Sequence, residues 1–173
     1  GAVSEEAVEI GHIDVGMHNH VEVASGFLNI GEASGIAIIQ GLLRYADAYK
    51  GDNIVIDCPP GSACSVVESI QDADYCILVA EPTVFGAHNF EMVHELVTIM
   101  NKPCGVVINK AEEGNTLMDD ICAEKGRKVI AKIPYRKETA RAGANGQIAV
   151  EIDAHLREVF ADLWSVITEE VKA

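Results

Sequence analysis

Asn53-Ile54-Val55-Ile56-Asp57-Cys58-Pro59-Pro60-Gly61 is the stretch on which the fold turns. A run of β-branched residues ends in an aspartate. Two prolines then stop any ladder, because proline has no N–H to give, and a glycine frees the backbone. The pattern predicts a buried strand over residues 53–57 that delivers a carboxylate to the C-terminal edge of a sheet, where open α/β folds bind their ligands. A carboxylate there can hold a hydrated Mg²⁺, and a glycine N–H just beyond it can meet a phosphate oxygen. The plainer alternative is a strand end whose aspartate caps the next helix. The Gly-rich, lysine-containing phosphate cradle that usually accompanies such a strand does not occur among the 173 residues.

Three more apolar runs follow, over residues 75–80, 105–109 and 128–133. They are nearly continuous in Val, Ile and Leu, as expected of parallel strands covered on both faces. Between them the period changes to that of a helix. Phe90, Val93, Leu96, Val97 and Met100 recur at three- and four-residue steps over 88–100. Ile38, Ile39, Leu42, Leu43 and Tyr45 do the same over 34–49, and shorter helices are expected over 62–70 and 116–125. Strand–helix–strand order of this kind predicts an α/β fold, a doubly wound and mostly parallel sheet with helices on both faces.

The N-terminal part alternates polar and apolar residues over 7–15 and 18–23, which predicts a β-hairpin turning at Gly16. Gly26, Asn29, Gly31 and Gly35 read as a loop into the first helix. After a Pro134-Tyr135 turn comes a polar segment, 136–146, and then an amphipathic helix over 152–172 carrying Leu156, Val159, Phe160, Leu163 and Ile167. With no repeat and no linker, one domain over 1–173 is expected.

A formal charge of −14 with only 13 basic residues argues against a nucleic-acid surface, which needs clustered Lys and Arg. No apolar stretch approaches the roughly 20 residues that span a bilayer, so no membrane partner is expected. The start at Gly1-Ala2 reads as an expression scar or a cut inside a longer gene. Five cysteines, with no C-x-x-C pair, fit a reducing cytoplasmic location. Of these, Cys76 and Cys104 read as reduced core residues, whereas Cys58 and Cys64 flank the Asp57 turn as buried or half-exposed thiols, the alternative being thiols that are redox-sensitive or meet a cluster on a partner. His12, His18 and His20 cluster in the hairpin, with His18 and His20 expected on one strand face. They read as exposed polar positions, or as two ligands of a transition metal that lacks a third. His88 and His94 are expected at the surface on different helix faces.

Polar or proline breaks mark the other strand ends as well: Glu81-Pro82-Thr83, Asn109-Lys110 and Ile133-Pro134-Tyr135. With the 28–35 block Leu-Asn-Ile-Gly-Glu-Ala-Ser-Gly, the 56–61 turn, Ala73-Asp74-Tyr75, the 78–86 block and the 105–110 block, the chain resembles the MinD/ParA/Mrp class of deviant-Walker P-loop ATPases. Within that class it is most similar to the subgroup with an inserted ferredoxin domain. The resemblance covers roughly residues 21–150 and lies in the order of the blocks more than in any one of them.

The resemblance implies roles, residue by residue. Asp57 takes the place of the aspartate that supports Mg²⁺ through water and places the attacking water, a catalytic and a metal-binding role. Pro60 and Gly61 belong to the nucleotide-sensing turn, with the Gly61 N–H meeting the γ-phosphate. Asn109 takes the place of the asparagine that hydrogen-bonds adenine, and Pro134 and Tyr135 line the base. ATP and Mg²⁺ are the cofactors implied for a complete protein. A homodimer formed face to face over nucleotide and a metal-cluster or redox partner protein are implied as well.

The family's first strand and its K-G-G-x-G-K-[ST] loop are not in the sequence, and neither are the cysteine motifs of a [4Fe–4S] ferredoxin. Arg136 stands where the family usually has Asp. The expectation is therefore the part of an incomplete P-loop NTPase fold that follows the insert, unable to hydrolyse ATP by itself. The alternative is a scaffold or interaction module that keeps only the fold.

Overall fold

The computed structural model describes residues 6, 8–49 and 53–172. The chain divides into two compact units, residues 1–72 and 73–173.

In the first unit, strands β1 (Gly11–His18) and β2 (Val21–Leu28) form an antiparallel hairpin whose register runs from Gly11↔Leu28 to His18↔Val21. The turn is Asn19-His20, with Asn19 in the left-handed region at φ 54°. Gly16 therefore lies within β1, and Gly26 within β2, rather than in a turn and a loop. Asparagine tolerates left-handed backbone through its short polar side chain, so it competes well with glycine for the turn. His20 falls in that turn, so it does not share a strand face with His18.

Helix α1 (Ile36–Ala48) packs against the hairpin. The approach is close at Gly26, where an added Cβ would run into Ile38 and meet Leu42 Cδ1 at 3.0 Å. Tyr45 Oη donates to Glu22 Oε1 at 2.6 Å across the same contact. Helix α2 (Cys64–Ile70) lies against α1 and buries Val66, Ser69 and Ile70.

Residues 53–58 do not form the predicted strand. Among the described residues they have no ladder partner, and Ile54, Val55 and Ile56 are 51%, 80% and 38% exposed. High β-propensity reflects packing against cross-strand neighbours more than an intrinsic backbone preference. Without such a neighbour among the described residues, the β-branched run stays an unpaired segment.

The second unit is α/β. Strands β3 (Cys76–Ala80), β4 (Cys104–Ala111) and β5 (Val129–Pro134) form a parallel sheet in the order β3-β4-β5. Helix α3 (Val84–Ile99) crosses from β3 to β4, and α4 (Leu117–Glu124) from β4 to β5. Thr83 caps α3 by accepting the Gly86 N–H at 2.9 Å. Central β4 is covered on both faces, with Val106, Val107 and Ile108 at 0%, 2% and 2% exposure. Edge strand β3 is not: Cys76, Leu78 and Ala80 are buried, but Ile77 and Val79 are 41% and 63% exposed.

Phe90 and Val97 of α3 and Met118 and Cys122 of α4 complete the core around the sheet. Beyond β5 come α5 (Lys137–Ala144), α6 (Ala149–Ile152) and α7 (Ala154–Glu170), with Leu156 and Leu163 of α7 buried. Helix α5 lies in the segment expected to be merely polar. Ala142 is the one buried residue it contributes, so apolar periodicity carries almost no trace of it. No helix among the described residues is long and apolar enough to cross a membrane.

Candidate functional site

The C-terminal edge of the β3-β4-β5 sheet carries Glu81, Asn109, Lys110, Pro134 and Tyr135 within one unit. Parallel pairing sets Asn109 beside Ile133 and Ala111 beside Pro134, so Lys110 is squeezed out as a bulge. It has φ 53°, left-handed backbone that a non-glycine residue adopts at a cost. Bulges re-aim side chains and recur beside active sites.

Here the Lys110 N–H turns onto Asn109 Oδ1 at 3.0 Å, and Lys110 Nζ reaches Glu81 Oε1 at 2.6 Å, tying the ends of β3 and β4 together. The Tyr135 N–H donates to the Ala111 carbonyl at 3.3 Å and holds the next turn to β4. Asn109 and Pro134 are half-buried, while Tyr135 is 52% exposed. Asn109, Pro134 and Tyr135 are thus brought together, as the sequence predicts.

Sequence reasoning missed Asn115. Its Nδ2 donates to the Pro82 carbonyl at 2.9 Å and its Oδ1 accepts the Leu117 N–H at 3.2 Å, pinning the β3 end to the start of α4. An asparagine one residue after a glycine and two before a helix was the available signal. Past Tyr135, Arg136 pairs with Asp153 at 3.2 Å, beside an open depression of about 480 Å³ lined also by Glu138, Thr139 and His155. Asp153 accepts the Leu156 N–H at the start of α7. That bond, aided by Arg136 and opposed by partial burial, holds its carboxyl below the usual range.

Asp57, Pro60 and Gly61 occupy one exposed turn of the first unit, ahead of α2. Gly61 has φ +93°, a conformation that L side chains rarely adopt, so a glycine is required at that position. Asp57 does not cap α2: the helix starts after Ala63, with no side-chain cap bond. Cys58 Sγ contacts the Ile56 carbonyl at 3.8 Å. Burial and, secondarily, the Asp57 carboxylate push its thiol up, with Ser69 opposing, so Cys58 is not an activated nucleophile. Among the described residues no group of three or more His, Cys, Asp or Glu is arranged to hold a metal ion, the hairpin histidines included.

His94 departs from its surface reading. It stacks on Phe90 at 5.7 Å, and its Nε2 accepts from Arg127 Nε at 2.7 Å.

A family model, the CobQ/CobB/MinD/ParA nucleotide binding domain, matches residues 34–150, more than half of the chain. The chain belongs to that family. Among curated proteins it is similar to Uncharacterized protein MJ0578 of Methanocaldococcus jannaschii, 24% identical over 144 residues, covering 83% of this chain and 50% of the relative. The chain thus spans about half the length of that relative.

Among solved structures it resembles the MinD cell division protein of Aquifex aeolicus. The TM-score is 0.65 at 17% identity, over 78% of this chain and 61% of that one. The same protein in its MinC:MinD complex gives 0.64 at 17% identity, over 78% and 59%. The cell division ATPase MinD of Pyrococcus furiosus gives 0.59 at 18% identity, over 78% and 56%. At these identities the likeness is one of fold.

Proposed function

We propose that the chain is the switch- and base-side portion of an ATP-dependent molecular switch of the MinD/ParA kind. Asp57 is a hard oxygen ligand on an exposed turn, a donor suited to a hydrated Mg²⁺. The neighbouring glycine frees a backbone N–H for a terminal phosphate oxygen, in keeping with its left-handed conformation. Bound Mg²⁺ would offset phosphate charge, while Asp57 orients water in its shell and the attacking water. Asn109 reads the adenine edge, and Pro134 with Tyr135 forms the wall beside the base.

The observation that carries the reading is the bulge at Lys110, which sets Asn109 and the Pro134-Tyr135 turn on neighbouring strands at the edge where such sheets bind ligands. The family membership of residues 34–150 supports the nucleotide as the ligand class. In the complete protein, the switch works as a homodimer across nucleotide and acts on a metal-cluster or redox partner. A [4Fe–4S] cluster belongs to a ferredoxin insert rather than to these cysteines.

Without a lysine-bearing phosphate cradle among its residues, the 173-residue chain binds Mg-ATP weakly or not at all. Calorimetry tests this directly, and sub-micromolar binding by the chain alone overturns it. Sequencing the gene upstream of Gly1 tests the rest. A K-G-G-x-G-K-[ST] block with cysteine-rich motifs supports the switch, whereas a start codon close to residue 1 favours a scaffold. In a protein carrying that block, Asn109→Ala should weaken ATP binding about tenfold, the value of one hydrogen bond of about 1.4 kcal/mol.

A further inference from the structure

Asn109, half-buried near the C-terminal end of β4, has an amide with one fixed end. Its Oδ1 accepts the Lys110 N–H at 3.0 Å, a contact made at the left-handed bulge of the β4–β5 register. A flipped amide would set its NH₂ group against that N–H, donor against donor, so the oxygen stays on the backbone side. The other end, Nδ2, meets no acceptor among the described residues. Neighbouring donors are engaged: the Lys110 ammonium with Glu81 at 2.6 Å, and the Tyr135 N–H with the Ala111 carbonyl at 3.3 Å.

We propose that Asn109 reads a purine through N7, an acceptor that adenine and guanine share, and so admits 6-amino and 6-oxo purines alike. This rests on the nucleotide reading of the same edge and adds the atom read and the range of bases. To select adenine, an asparagine donates to N7 while accepting from the 6-amino group. With its oxygen turned to the Lys110 N–H, the amide presents donors outward. One hydrogen serves N7, and the second suits the O6 of a 6-oxo purine. Tyr135, 52% exposed in the adjoining turn, adds a stacking surface that any purine face satisfies.

The test is a ¹H–¹⁵N correlation spectrum of the 173-residue chain titrated with adenosine, inosine and 7-deazaadenosine, with the Asn109 NH₂ signal assigned by triple resonance. Nucleosides carry no phosphate, so the missing cradle does not enter. Adenosine and inosine should move that signal with dissociation constants within about threefold of each other. With a carbon in place of N7, 7-deazaadenosine should bind about tenfold more weakly, the loss of one hydrogen bond. Asn109→Asp keeps an oxygen for the Lys110 N–H but has no donor for N7, so the gap between adenosine and 7-deazaadenosine should close in it. The three ligands are compared on the unaltered chain, so the test does not depend on that variant folding. Equal binding of adenosine and 7-deazaadenosine overturns the N7 reading, as does a response to adenosine with none to inosine. If no nucleoside moves the Asn109 signal, base reading at this edge fails altogether, and the nucleotide role of Asn109 falls with it.

Discussion

At the scale of single residues, His94 makes the most testable statement. Its Nε2 accepts from Arg127, so the ring is held neutral. Desolvation, with Arg127 and then Lys125 adding to it, pushes its pKa below 6.5. A histidine whose folded pKa is depressed binds fewer protons than the unfolded chain, so stability rises with pH across that window. The contribution is complete above about pH 6.5, declines as the pH falls below that, and stops changing once the lower folded value is passed. Thermal melting from pH 7.5 to 5 should show the decline, and His94→Gln, which keeps an acceptor but cannot titrate, should flatten it. An equally steep profile in the variant would assign the effect elsewhere.

The sequence shows His94 as one histidine on an amphipathic helix, because its partner lies 33 positions away. Asn109 and Pro134 were readable for the opposite reason. Each ends an apolar run, and parallel pairing of such runs brings their ends to one edge whatever the register detail. The left-handed Lys110 was not readable, since it arises only when the β4–β5 register slips by a residue.

At the scale of elements, burial divides the helices and strands into well and poorly supported ones. The Thr83 side chain caps the N-terminus of α3, so Thr83→Ala should cost about 1 kcal/mol, read by urea unfolding of the second unit. Met118 of α4 is fully buried, and Met118→Ala should cost about 2–5 kcal/mol. If the two losses came out equal, the packing assigned to α4 would be wrong.

The contrast also explains which elements periodicity revealed. Helix α3 is read correctly from Phe90, Val93 and Val97, though it starts at Val84, earlier than the apolar stripe. Helix α5 buries only Ala142 and so leaves no stripe to read. Its alanines at 140, 142 and 144 were the usable sign, through helix propensity rather than pattern. The hairpin was foreseen with its turn misplaced, because Gly16 looked the better breaker than Asn19-His20.

For the whole molecule, the governing fact is a parallel sheet with an uncovered margin. Parallel strands normally lie buried, yet β3 leaves Ile77 and Val79 exposed next to backbone groups that no neighbouring strand among the described residues pairs. An apolar edge of this kind invites association. Light scattering should show the chain self-associating with concentration. Val79→Lys, on the exposed face, should suppress that association and shift the melting temperature little. Unchanged association in the variant would place the sticky surface elsewhere.

Residues 53–58 carry a different consequence. A protease grips its substrate as an extended chain, and ladder-bonded strands and helices deny it that shape. Elastase, which cuts after small aliphatic side chains, should therefore nick the folded protein first at Val55, which is 80% exposed and unpaired. Mass spectrometry of the earliest digest would then show two pieces meeting at that bond, ahead of any cut within β4 or α4. Slower cleavage at Val55 once a binder is added would report that the segment had found company.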